Sequence, residues 1–212
     1  MKSRVLVLAI SLSSALMMQS VPAALAATTT FAAILNGAND GTNSPGTGVA
    51  TVVLDTTAQT LTVSATFSGL TSPNITGAHI HCCQMTPGVG NVGVATTVPV
   101  FPGFPFGPTA GTAGSYGPMT FDLTQFTPAN PGIYNPAFVT AQCGLAMAEA
   151  ALITGLISGS TYFNIHTVNF PGGEIRGELN AVPLPTALPL FASGIGALGL
   201  LGWRRKKRSI AA

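Results

Sequence analysis

The side chains in this chain that are best suited to metal binding or proton transfer are its three histidines, His79, His81 and His166. Neutral imidazole binds zinc and copper, and it exchanges protons near neutral pH. His79 and His81 are two positions apart, so both point to one face if they lie on a β-strand. If a second strand brings His166 beside them, the three nitrogens could hold one zinc or copper ion, with Glu174 as a possible further ligand.

The ordinary alternative gives these histidines a structural role. Three imidazoles on the polar face of a sheet can hydrogen-bond to their neighbours and help to hold the strands in register. A His-x-His pair alone is a weak signal for a metal, and His166 is distant in the sequence. We therefore expect no cofactor, and keep copper or zinc as the alternative.

The three cysteines, Cys82, Cys83 and Cys143, suggest an oxidising compartment, although their number is odd. Adjacent residues of a strand face opposite sides, so we expect Cys82 or Cys83 to pair with Cys143 and leave one thiol. A bond between Cys82 and Cys83, or three free thiols, are the other arrangements. Cys83 would share the histidine face and is a further candidate ligand.

The sequence lacks the usual hydrolase motifs. It has no Gly-x-Ser-x-Gly and no His-Glu-x-x-His. Glycosidase chemistry would need two of six carboxylates to converge, for example Glu174 and Glu178. Arg176 lies between them, and their alternation predicts a solvated charge ladder on the outer face of a sheet. We predict that the protein is not an enzyme, with metal-dependent redox activity as the alternative.

Strands must position these side chains, and alternating apolar and polar residues predict several of them. The predicted strands cover residues 31–35, 50–55, 61–67, 77–83, 162–167 and 174–180. If Ile165 and Ile175 share the core face, His166 lies opposite Glu174 or Arg176. Residues 145–157 favour a short helix. Short strands with one helix predict an all-β, immunoglobulin-like or Greek-key β-sandwich.

The segment 86–118 interrupts this pattern. It contains eight glycines and six prolines, which predicts a long loop rather than regular structure. Phe101, Phe104 and Phe106 lie within it. We expect parts of this loop to pack onto the domain.

The charge distribution excludes nucleic-acid binding. Residues 28–181 contain one base, Arg176, and six acids, a formal charge of −5. A domain with one basic residue cannot neutralise a row of phosphates. The other seven bases lie near the two ends of the chain.

The N-terminal residues resemble a secretory signal. Lys2 and Arg4 precede an apolar stretch, and Ala24-Leu25-Ala26 supplies the small-x-small cleavage pattern. We predict a signal peptide over residues 1–26, cleaved after Ala26. A retained N-terminal anchor is the alternative.

The C-terminal segment 182–208 carries a motif, an apolar stretch and a run of five bases. The motif is Val182-Pro183-Leu184-Pro185, and residues 187–203 could form a short helix that crosses the inner membrane. This order resembles the bacterial PEP-CTERM sorting signal in its VPLPA-type variant, with Thr186 where Ala is usual. The resemblance implies an exosortase-type sorting enzyme, transient residence in the inner membrane and delivery to the cell envelope, surface or extracellular matrix. An ordinary tail anchor is the alternative.

The middle of the chain resembles a CHRD (chordin-type) domain over residues 30–180. The resemblance rests on Gly77-Ala-His-Ile-His81 and on Asn164-Ile-His-Thr followed by Phe170-Pro-Gly-Gly-Glu-Ile-Arg-Gly177. It implies an all-β domain of exported proteins with no settled activity. The leading hypothesis is therefore a non-catalytic structural or binding module, with an extracellular polymer or surface proteins as partners.

A weaker resemblance supports the alternative. Gly77-Ala-His-Ile-His81 is similar to the Gly-x-His-x-His strand of copper/zinc superoxide dismutases. Their dinuclear site needs more histidines than this chain has, so at most one metal could bind. A mononuclear copper or zinc protein using His79, His81 and His166 is the rival hypothesis.

Overall fold

The computed structural model describes residues 28–127, 129 and 132–183. The predicted signal peptide lies outside these residues. The predicted sorting segment does too, except for Val182 and Pro183.

Within the described residues, eight strands and two α-helices form the domain. The strands are β1 Thr28–Asn36, β2 Thr47–Asp55, β3 Thr60–Ser68, β4 Ile75–Cys82, β5 Gly114–Asp122, β6 Thr161–Thr167, β7 Ile175–Glu178 and β8 Asn180–Ala181. The helices are α1 Pro136–Ala141 and α2 Leu145–Ile157. A 3₁₀ turn, Ala38–Asp40, follows β1.

The strands make one curled antiparallel sheet in the order β4-β6-β7-β1-β2-β3-β5, and β8 pairs with β1. Strands from both ends of the curled sheet contribute side chains to a single hydrophobic core, so the domain resembles a β-sandwich in cross-section. The predicted all-β class is confirmed, and the predicted helix is α2. The short helix α1 was not predicted, because its six residues carry too little periodicity.

Alternation along β3 shows why the sequence folds in this way. Leu61, Val63, Ala65 and Phe67 are buried, while the residues between them lie on the outer face. On the same outer face β1 and β2 carry small and polar side chains beside exposed Ile34 and Val49. One face of the sheet therefore encloses the core.

The Gly- and Pro-rich segment covers the outer edge of β4. The amide of Ala78 donates to the carbonyl of Pro99, and the amide of Ala95 donates to the carbonyl of Ile80. Phe101 and Phe104 enter the core, as expected for a loop that packs down, whereas Phe106 is half exposed. The end of the segment forms the start of β5, a strand that its Gly and Pro content had hidden.

None of the helices within the described residues is long and apolar enough to cross a membrane.

Candidate metal centre

Pairing of β4 with β6 places all three histidines on one face. Gly77 lies opposite His166, and His79 lies opposite Asn164, in the antiparallel register. Directly opposed residues of an antiparallel pair project to the same side. The predicted juxtaposition of His79, His81 and His166 follows from this register, although the two strands are far apart in sequence.

The free nitrogens of the three rings converge. His79 Nε2 lies 3.0 Å from His166 Nε2. One ring nitrogen from each of His79, His81 and His166 lies within 4.8 Å of the other two. Over the described part of the chain, this is the one group of three or more His, Cys, Asp or Glu side chains with such spacing.

Backbone carbonyls fix the protonation of each ring. His79 Nδ1 lies 3.1 Å from Pro99 O, and His81 Nδ1 lies 2.7 Å from Val92 O. His166 Nδ1 lies 3.0 Å from Pro171 O. A carbonyl oxygen can only accept, so each Nδ1 carries the hydrogen and each neutral ring presents the lone pair of Nε2.

These lone pairs have no donor to satisfy them. His79 and His81 are each 7% exposed and His166 is 9% exposed, and His81 Nε2 is buried without a hydrogen-bond partner. If both Nδ1 atoms of His79 and His166 are protonated, the 3.0 Å approach brings two lone pairs together. Buried acceptors without a partner cost free energy, so the arrangement calls for a bound cation or proton.

A shared proton is disfavoured by the surroundings. Burial, followed by the charges of His166 and His81, lowers the pKa of His79 to about 3. Burial also lowers the pKa of His81 to about 4 and lowers the pKa of His166. The rings are therefore neutral at neutral pH, which is the form that ligates metals.

The cluster has the dimensions of a metal site. Zinc–nitrogen distances of about 2.0–2.1 Å place tetrahedral ligand nitrogens about 3.3 Å apart. The separations here, from 3.0 Å to at most 4.8 Å, bracket that value. Small rotations of the side chains would bring all three Nε2 atoms to one ion, and three imidazoles suit zinc or copper.

A stack of side chains supports His81 from outside. Its ring stacks on the Tyr162 ring at 4.5 Å between centroids, and the Arg176 guanidinium carbon lies 3.6 Å from the centroid of the Tyr162 ring. Arg176 also donates to Asn91 Oδ1 and to Gly90 O. These bonds hold the loop whose next carbonyl, that of Val92, orients His81.

Comparison with known proteins gives one match. The model of the CHRD domain family matches residues 31–179, well over half of the chain. The chain belongs to the CHRD domain family. This family is not a known enzyme family. No curated protein and no solved structure matches the chain.

The CHRD domain buries the charges that were expected to form a solvated ladder. Glu174 is 0% exposed and Arg176 is 5% exposed, so that prediction is wrong. The condition from which the partners of His166 were predicted is met, since Ile165 lies opposite Ile175 and Asn164 lies opposite Arg176. The outward face is covered because the loop at Gly90 and Asn91 lies across it and pairs with Arg176.

Glu174 is not part of the histidine cluster. Its Oε1 accepts hydrogen bonds from Ser44 Oγ and from the amide of Thr71, and its Oε2 accepts one from Thr167 Oγ1. The carboxylate therefore connects the loop before β2, the loop after β3 and the end of β6. The structure brings the three histidines together without it.

The expected disulfide with Cys143 is also absent. Cys82 pairs with Cys83, and Cys143 is free and exposed between α1 and α2. The argument from alternation fails because β4 ends at Cys82, so Cys83 does not continue the strand. Both sulfurs lie under α2, 3.6 Å (Cys82) and 3.4 Å (Cys83) from the Ala151 carbonyl oxygen. Cys83 is not a ligand of the cluster.

Sequence reasoning assigned no role to three residues around the cluster. Gly77 lies between the rings of His79 and His166, and Asn164 is opposite His79. Asp40 approaches Asn164 from the 3₁₀ turn. Spacing could have identified Gly77 and Asn164, since both are two positions from a histidine. Nothing in the sequence links Asp40 to this face.

Proposed function

We propose that this protein is an exported CHRD-domain protein that binds a single copper or zinc ion through His79, His81 and His166. One observation supports the proposal most strongly. The Nδ1 atoms of all three rings face backbone carbonyl oxygens, and the Nε2 atoms of His79 and His166 approach each other. This favours the metal-binding alternative over a purely structural role, because structural histidines would pair their remaining nitrogens with donors.

The side chains have distinct tasks in such a centre. The three imidazoles bind the ion, and the carbonyls of Val92, Pro99 and Pro171 hold the rings at the correct tautomer. Burial keeps the rings neutral and excludes bulk water. The ion would supply a Lewis acid, or one-electron chemistry if it is copper.

The first test is metal analysis of residues 28–183, exported to an oxidising periplasm and purified without chelating resins. We expect about one copper or zinc per chain after incubation with either ion. A variant with all three histidines changed to Gln should bind none. A Glu149→Gln variant serves as the charge-change control, because Glu149 pairs with Gln59 and not with the cluster. Absence of stoichiometric metal in the wild-type domain would overturn the proposal.

We further propose that residues 1–26 direct export and that 182–208 act as a sorting signal. Support comes from the small-x-small pattern before Ala27 and from the order of motif, apolar stretch and basic run. An exosortase-type enzyme would then release the protein to the cell envelope, surface or matrix. The metal domain would act there as a non-catalytic binding module or as a redox protein.

Mass spectrometry of protein isolated from its native host tests the sorting proposal. We expect a mature chain that starts near Ala27 and ends near Val182–Pro185. A mature chain that still contains Trp203 and the basic tail would contradict the proposed cleavage, and would leave the metal proposal untouched.

A further inference from the structure

We propose that the centre formed by His79, His81 and His166 is selective for copper(I), and binds this monovalent ion more tightly than zinc(II). This inference rests on the proposed metal site and names the ion that the site prefers. Three properties of the cluster support it: the ligands carry no charge, there are only three of them, and they are buried.

The ligand set is too small for zinc. No carboxylate or thiolate joins the three imidazoles within the described residues, whereas zinc sites hold four ligands. The space above Gly77 is filled by the rings of His79 and His166, whose Cε1 and Cδ2 atoms would each lie 3.1 Å from a Cβ atom there. Copper(I) is a closed-shell monovalent ion with little demand for a fourth ligand, so three imidazoles can satisfy it.

Burial of the cluster penalises a divalent ion. His79, His81 and His166 are all at most 9% exposed. The free energy of moving an ion from water into a medium of low polarity rises with the square of its charge, so a divalent ion costs about four times as much as a monovalent ion of the same size. An anionic ligand would offset this cost, and the cluster contains none within the described residues.

The charged side chains around the cluster balance one positive charge rather than two. The positive charge of Arg176 reaches His81, but its guanidinium is paired with Glu178 at 2.6 Å. Burial lowers the pKa of His166, and the negative charge of Asp40 opposes that shift. Asp40, Arg176 and Glu178 are two anions and one cation, a sum of −1 when all are ionised. This sum neutralises copper(I) and leaves zinc(II) with an excess positive charge.

Competition with chromophoric chelators compares the two ions in the domain of residues 28–183. Copper(I) is supplied anaerobically with ascorbate, and every protein carries Cys143→Ser because the exposed Cys143 thiol would also bind copper(I). We expect one copper(I) per chain, bound about 100-fold or more tightly than zinc(II). If zinc(II) binds as tightly as copper(I), the selectivity is disproved and the metal site stands. If neither ion binds, the proposed function itself fails.

A change of ligand charge at His81 should abolish the preference. His81→Asp adds a carboxylate to the ligand set, which should raise the affinity for zinc(II) relative to copper(I) by about 100-fold. His81→Asn is the matched control, since it has nearly the same size without the charge. It should weaken the binding of both ions and leave copper(I) preferred. The same ratio of affinities in both variants would show that ligand charge does not set the selectivity.

X-ray absorption spectroscopy of the copper(I)-loaded domain gives a measurement that needs no change at His81. We expect three nitrogen ligands around copper(I), and a fourth ligand would contradict the inference. Thermal unfolding verifies that the His81→Asp and His81→Asn variants are folded before their affinities are compared.

Discussion

Backbone carbonyls, rather than carboxylates, orient the three histidines. Val92, Pro99 and Pro171 each present an oxygen to one Nδ1. A neutral acceptor fixes the tautomer without adding charge to a buried site. The rings consequently remain neutral and resist protonation, which has a measurable effect on the metal-free domain.

The metal-free domain should lose stability as the pH falls. The pKa values of His79 and His81 are lowered to about 3 and about 4 from an ordinary 6.5, chiefly by burial. The unfolded chain therefore takes up protons first, so this stability is complete above pH 6.5 and is lost as pH falls toward 4 and then 3. We expect a loss on the order of 6 kcal/mol between pH 7 and pH 4, about 3 kcal/mol from each of these two rings.

Urea unfolding at pH 7, 5.5 and 4.5 measures this loss. The variant with all three histidines changed to Gln is the control, because it retains the carboxylates that titrate in the same range. Its unfolding free energy should fall less steeply than that of the wild type. Equal slopes for the two proteins would mean that the histidines do not cause the pH dependence.

Arg176 should strengthen metal binding without contacting the ion. It covers Tyr162 and holds Gly90 and Asn91, next to the carbonyl that orients His81. We expect Arg176→Gln to weaken zinc affinity 10- to 100-fold, as for other groups that orient ligands indirectly. Competition with a chromophoric chelator measures the affinity.

Arg176→Lys is the informative comparison for this prediction. Lysine keeps the charge but lacks the planar fork that stacks on tyrosine and donates in several directions. It should also lose affinity, although less than glutamine. Nitrogen-15 NMR should show the His81 tautomers mixing in both variants. Unchanged affinity and a single tautomer in Arg176→Gln would rule out this positioning role.

Among the elements, α2 is packed closely over the end of β4. A Cβ atom on Gly155 would lie 2.6 Å from Cys82 Sγ and 3.1 Å from Cys83 Sγ. Gly155→Ala should destabilise the domain by about 1–2 kcal/mol, because overpacking outweighs the gain of about 1 kcal/mol in helix propensity. Denaturant unfolding, with Gly93→Ala as a control whose methyl meets nothing within 4 Å, tests this effect. A more stable Gly155→Ala variant would show that α2 shifts freely.

The elements also show which parts of the site could be predicted. Period-two alternation identified β2 and β3, and an apolar run identified β1. The assumption that Ile165 and Ile175 share the core face limited the partners of His166 to Glu174 or Arg176. Burial of the histidine face could not be inferred from the sequence, because it depends on residues 90–101 lying along β4. A Gly- and Pro-rich segment has no periodic pattern from which such packing could be predicted. The Cys82–Cys83 disulfide could not be predicted either, because it depends on the end of β4 at Cys82, which the sequence pattern does not mark.

At the scale of the molecule, β7 joins two parts of the sheet. It pairs with β6 on one side and with β1 on the other, so it links the histidine strands to β1, β2 and β3. A chain of residues 28–183 should fold cooperatively, whereas one that ends at residue 170 should not, since it lacks β7 and β8. Circular dichroism and denaturant unfolding distinguish the two. A cooperative transition in the shorter chain would show that β4 and β6 do not need this link.

Burial of Arg176 also determines how the domain meets its surroundings. The only cationic side chain of residues 28–127, 129 and 132–183 is 5% exposed, whereas Asp55, Asp122 and Glu149 reach solvent. An anionic polysaccharide or membrane surface would therefore repel the folded domain at low ionic strength. Adhesion in an envelope would have to use neutral sugars, or divalent ions that bridge two carboxylate-bearing surfaces. Retention of the domain should accordingly respond to calcium and magnesium more than to sodium chloride.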